Sequence, residues 1–154
     1  MKGGVRPMWF ASGGKPFKFD VPWPHLVVGA CGPKLHVAAL GGGRRPAPKT
    51  RLFHAPLMNV FHTGAVCVGN ADLPESCGLE SMPGWESVLT DTCFSHVNHP
   101  STLRTTGKQG VDNKEHLDFW RGLGKGKAAA FPRESLAPLG CDLGRFIERV
   151  AHGQ

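Results

Sequence analysis

The residues best suited to chemistry in this 154-residue chain are five cysteines and eight histidines, and one cysteine stands apart from the rest. Cys67 lies in "NVFHTGAVCVGN" (59–70), an otherwise apolar strand just past a Thr-Gly turn, and eight residues after Asn59. Three roles fit a thiol there: a buried structural group, a zinc ligand or a nucleophile. Cys67, Cys77, Cys93, His96 and His99 offer enough donors for zinc, and Cys93-x-x-His96 has a ligand-like spacing. Structural zinc draws its ligands in close pairs, however, and neither Cys67 nor Cys77 has a near partner. Gly64 permits a tight turn, after which Ala65-Val66-Cys67-Val68 would hold the thiol on a short rigid strand beside a polar loop, as a positioned nucleophile requires. No cation lies near in sequence to stabilise a thiolate, and the acidic neighbours would raise its pKa. Without a base triad, protease-like chemistry is poorly supported. Exchange with an already activated thioester demands less, because the leaving group is itself a thiolate.

The elements that must position this thiol follow from pattern and turn chemistry. "HLVVGA" (25–30) and "KLHVAAL" (34–40) read as strands joined through Cys31-Gly32-Pro33, and "RLFHAPL" (51–57) as the next strand, stopped by Pro56. Short links favour an antiparallel meander over a parallel sheet with helical crossovers. "GGGRRPAPKT" (41–50) reads as a basic loop. Further on, "WESVLTDTCFSHV" (85–97) places Trp85, Val88, Leu89, Thr92, Cys93 and His96 on one helical face. Ser81 would cap that helix, Pro83 fall in its first turn, and Asn98-His99-Pro100 end it. Cys93 is then expected as a small core filler. Helices are also predicted over 113–123 and 143–151. Strands followed by helices make an α+β domain.

Composition bounds the rest. The length suits one compact domain, and 21 Gly with 13 Pro predict a loop-rich one. The net charge of +6 hides an asymmetry: residues 1–58 carry nine Lys or Arg against Asp20 alone, whereas 59–100 carry five acids and no Lys or Arg. This sets residues 1–20 apart as a basic N-terminal extension ahead of a single domain at 21–154. No apolar run suggests a membrane span or a secretory signal, and the odd, scattered cysteines suggest reduced thiols, so a cytoplasmic protein is expected. "RGLGKGKAAA" fails the phosphate-loop spacing, because Arg121 stands five residues before Gly126 and Ala128 follows Lys127.

"APLMNVFHTGAVCVGN", followed by a tryptophan and then "VNHP", resembles the active-site region of ubiquitin-conjugating enzymes. That region runs from an asparagine-bearing loop through a turn to a cysteine eight residues on, then a tryptophan and a helix. "VPWPHLVVGACGPKLHVAAL", "RPAPKTRLFHAPLMNVFHTGAVCVGN" and "WESVLTDTCFSHVNH" more closely resemble the bacterial group called PRTRC system protein B, a prokaryotic branch of that superfamily. The resemblance implies a UBC-like α+β fold: an antiparallel meander of three to four strands, an active-site loop, then C-terminal helices. The superfamily's usual N-terminal helix has no counterpart ahead of the predicted strands. Leu57 and Met58 stand where eukaryotic members have His and Pro, and the loop 69–84 is an insertion placed to gate the site.

On the matching positions, Cys67 would carry a ubiquitin-like protein as a thioester and yield it to an amine. Asn59 would order the loop and help stabilise the oxyanion. Asp72 would orient an incoming lysine, and His62 reads as a solvated turn residue near enough to be considered for proton transfer. No metal or organic cofactor is invoked. The implied partners are a ThiF-like activating enzyme and a ubiquitin-like protein, with a JAB-type isopeptidase of the same cassette as a further candidate. Neither a membrane nor a nucleic acid is expected. Two rivals stand beside this reading: a catalytically inactive UBC-like interaction protein, and a small zinc-binding nucleic-acid module motivated by the Cys/His set and the basic flank.

Overall fold

The computed structural model describes residues 1–107 and 109–153. Two small sheets, three helices and the loop around Cys67 build it. In the first sheet β1 (Gly4–Ser12) and β2 (Lys15–Trp23) form an antiparallel hairpin, and the two-residue β6 (Cys93–Phe94) joins β1 in parallel. Gly13 and Gly14 turn the hairpin with φ of 59° and 76°, the doubly positive combination of a type I′ turn. In the second sheet β3 (His25–Cys31), β4 (Lys34–Leu40) and β5 (Arg51–His54) follow one another antiparallel, and β7 (Pro138–Asp142) adds to β5. The chain passes from one sheet to the other at Pro24.

Residues 1–20 therefore depart from the expected basic extension. They supply β1 and most of β2, the boundary expected at residue 21 falls inside β2, and Met8 and Phe10 belong to the same buried cluster as Trp23, Trp85 and Trp120. Charge misleads here because it sits on the outer face of the hairpin: Lys15 and Lys18 are exposed while Met8, Phe10, Val21 and Trp23 point inward. The expected meander is present as β3, β4 and β5, with β5 ending before Pro56.

The helix expected to follow Ser81 and continue to residue 97 starts as expected but stops early. It runs as α1 (Met82–Thr90) and buries Trp85, Val88 and Leu89. Ser81 is at its N-cap, but that hydroxyl turns to Ser76 Oγ, 2.6 Å away, rather than capping the helix. After α1 the chain extends into β6, with Phe94 fully buried and Cys93 exposed. Cys93 is thus not a core filler. The predictions over 113–123 and 143–151 correspond to α2 (Asn113–Lys125) and α3 (Leu143–Ala151). A reciprocal Asp112–Glu115 capping box starts α2. Trp120 anchors it by donating its indole N–H to the Pro56 carbonyl at 3.1 Å, three residues before Asn59. None of the described helices is long and apolar enough to cross a membrane.

Candidate functional site

Asn59 and Cys67 are brought together by a tight hairpin. Val60 and Val66 pair across it, Phe61 N–H donates to the Ala65 carbonyl, and Cys67 N–H donates to the Asn59 carbonyl at 2.7 Å. The eight-residue spacing is thus that of two opposed positions at the open end of a hairpin. Its outer arm lies along β4: Val37 N–H donates to Gly64 O and Val66 N–H to Leu35 O, each at 2.8 Å. Gly64 makes this approach possible. It has φ of 94°, and a Cβ there would stand 2.9 Å from the Val37 carbonyl oxygen.

Asn59 adopts φ of 57°, a left-handed conformation that asparagine tolerates better than most residues. Its side chain, almost wholly buried, bonds to the segment after α1. Oδ1 accepts from Ser95 N–H (3.1 Å), His96 N–H (3.2 Å) and the Ser95 hydroxyl (3.2 Å), while Nδ2 donates to the Cys93 carbonyl at 3.3 Å. In a helix continued through residue 97, those backbone groups would bond to carbonyls and amides one turn away. Asn59 takes them instead, and Thr92 further closes α1 by donating its hydroxyl to Val88 O at 2.6 Å. A residue from another part of the chain therefore ends the helix that local periodicity predicts.

Cys67, Asn59, Asp72, Asp91, Cys93 and His96 line one groove of about 860 Å³. It runs between the hairpin, the loop after Cys67, α1 and the 93–96 strip. Cys67 is half-buried and Cys93 exposed. Partial desolvation pushes the Cys93 thiol up, which keeps it protonated and a poor competitor as nucleophile. Among the described residues no Lys or Arg lines the groove, and Asp72 and Asp91 make it attractive to a cation. The loop 69–84 forms one wall and is tied to α1 by the Trp85 indole N–H, which donates to Ser76 O at 2.9 Å.

His62 belongs elsewhere. With His54, His99 and Arg149 it lines a separate cavity of about 740 Å³. The His54 and His99 rings pack 4.7 Å apart between centroids. Burial, reinforced by positive charge on His54 and His62, lowers His99 to about 4. Behind it, burial and the His99 charge lower His116 to about 3. The donors considered for zinc do not converge: Cys77 Sγ lies 3.5 Å from Gly32 O, outside the groove, and His99 lies in the histidine cavity. No group of three or more His, Cys, Asp and Glu among the described residues is arranged to hold a metal ion.

The hydrogen bond between Ser95 Oγ and His96 Nδ1, 2.9 Å long, is a feature that helical reading of 85–97 hides. The alternation of exposed Cys93, buried Phe94 and exposed Ser95 belongs to the folded strip, and the apolar helical spacing of 85–96 conceals it in the sequence. The family model for Prokaryotic E2 family D matches residues 1–139, a span containing the hairpin, the groove and both walls. No curated protein and no solved structure matches the chain.

Proposed function

We propose, since this chain belongs to prokaryotic E2 family D, that it acts as a ubiquitin-conjugating-like carrier: Cys67 accepts a ubiquitin-like protein as a thioester and yields it to an amine. The observation that carries this reading is the pairing of Cys67 with Asn59 at the mouth of a hairpin that opens on a cation-attracting groove. Exchange at Cys67 is thermodynamically level, since one thioester replaces another, and calls for access more than for a strong base. In this reading Asn59 orders the site, supported by its bonds to both the hairpin and the 93–96 strip. Its Nδ2 carries a second N–H, which in this reading contributes to the oxyanion. Asp72 and Asp91 would draw a lysine ammonium towards the thioester. The finer assignment to the PRTRC system protein B group, with a ThiF-like activating enzyme and a ubiquitin-like protein as partners in the cytoplasm, is part of the same proposal.

The test mixes the protein with its activating enzyme, the ubiquitin-like protein and ATP. A reductant-sensitive adduct that is lost in Cys67→Ala is expected. In Cys67→Ser a reductant-resistant oxyester would replace it. Tight binding of both partners with no adduct would instead favour a non-catalytic interaction protein.

A further inference from the structure

The hydrogen bonds behind the groove connect His96 to Asn59 through Ser95. The Asn59 amide can be oriented in one way only, since two backbone N–H groups converge on Oδ1 and a backbone carbonyl faces Nδ2. Oδ1 is therefore an acceptor, and the single hydroxyl proton of Ser95 is given to it at 3.2 Å. Ser95 Oγ also stands 2.9 Å from His96 Nδ1 and, with its proton directed to Oδ1, accepts from Nδ1–H. In that arrangement Nδ1 carries the proton and the neutral ring keeps its lone pair on Nε2. The ring is exposed and lines the same groove as Cys67. An acceptor, a hydroxyl and an imidazole thus follow one another as the orienting group, the relay and the base do in hydrolytic triads.

We infer that His96 is the general base for amine attack on the Cys67 thioester, held in its active tautomer by Asn59 through Ser95. This rests on the carrier reading above. A lysine ammonium, with an ordinary pKa of about 10.4, reaches the groove protonated and must shed a proton before it can attack. Asp72 and Asp91 attract it but are weak bases. One N–H proton goes to solvent as the free amine forms. The amine nitrogen then bonds to the thioester carbonyl carbon and passes a second proton to His96 Nε2. Collapse breaks the C–S bond, expels the Cys67 thiolate and leaves an amide. Imidazolium returns its proton to the thiolate, so thiol and neutral ring are restored. The other titratable groups lining the groove are Cys67, Asp72, Asp91 and Cys93.

The experiment uses the full chain with Cys77 and Cys93 replaced by Ser. Cys67 is loaded to completion by exchange with a small Gly-Gly thioester and followed by intact mass. Discharge of the isolated adduct is then timed with free lysine and with hydroxylamine. General bases contribute roughly 100-fold or more. His96→Gln is therefore expected to slow discharge to lysine by about that factor, and discharge to hydroxylamine as well, since in both the attacking nitrogen must pass a proton to Nε2. Ser95→Ala should fall between parent and His96→Gln, and added imidazole should restore His96→Gly. A His96→Gln adduct that discharges to lysine at the parent rate overturns this assignment alone. Failure of Cys67 to load from either the small thioester or the activating enzyme overturns the carrier reading and takes this inference with it.

Discussion

At the scale of single residues, Asn59 does three jobs that rarely coincide. It accepts the left-handed backbone turn, closes the hairpin through its carbonyl, and takes over backbone groups of residues 93, 95 and 96 through its side chain. Removing the amide leaves two backbone N–H groups without their acceptor, at about 1–3 kcal/mol. Asn59→Gly should cost about that much in urea unfolding, since glycine adopts positive φ freely. Asn59→Ala should cost a further 1 kcal/mol or so for its Cβ in the left-handed region, reversing the usual order in which glycine is the worse substitution. Equal stability of the two variants would show that the backbone relaxes away from φ of 57° once the side chain is gone. The pairing of Asn59 with Cys67 came from the resemblance to ubiquitin-conjugating enzymes, whose pattern sets an asparagine eight residues before the cysteine. The partnership of Ser95 with His96 could not be read, because a residue placed on a helix face directs its side chain differently from one in an extended strip.

Among the elements, the hairpin 59–67 is governed by its contact with β4. Gly64 is the point of closest approach, and the oxygen that a new Cβ would meet belongs to the backbone of Val37, which cannot rotate aside. Gly64→Ala combines that overlap with an unfavourable φ. It is expected to cost about 2–4 kcal/mol, read as a lowered urea midpoint, and to slow loading of Cys67 because the arm carrying the thiol must shift. Unchanged stability would mean that this arm is not held as described. The strands β3 and β4 were legible from their β-branched runs and the Gly-Pro link, and α3 from its apolar period, since in each case local pattern and burial agree. The C-terminal limit of α1 was not legible. Its apolar spacing continues to residue 96, and only the competing hydrogen bonds of Asn59 and the burial of Phe94 against Phe10 and Trp23 draw the chain out of the helix.

For the molecule as a whole, buried histidines set an acid limit on stability. His99 and His116 are shielded from water, and their ring nitrogens have no hydrogen-bond partner among the described residues. Their folded values of about 4 and about 3 lie below the unfolded value of 6.5. Between those limits the unfolded chain binds the extra protons, so the stabilisation is complete above pH 6.5 and falls as the pH drops towards 4 and 3. Each group should account for a loss on the order of 2 kcal/mol by pH 5. In His116→Leu the urea midpoint should fall less steeply between pH 6.5 and 4 than in the parent; an identical slope would remove His116 from this account. The sequence by itself determined the α+β class and the meander, because periodicity and turn residues act over a few residues. Tertiary structure alone decided that the charged N-terminus is core, that the helix stops at Thr90, and that Ser95 and His96 line the groove. Those outcomes depend on hydrogen bonds and packing between segments more than thirty residues apart, a competition that no local pattern records.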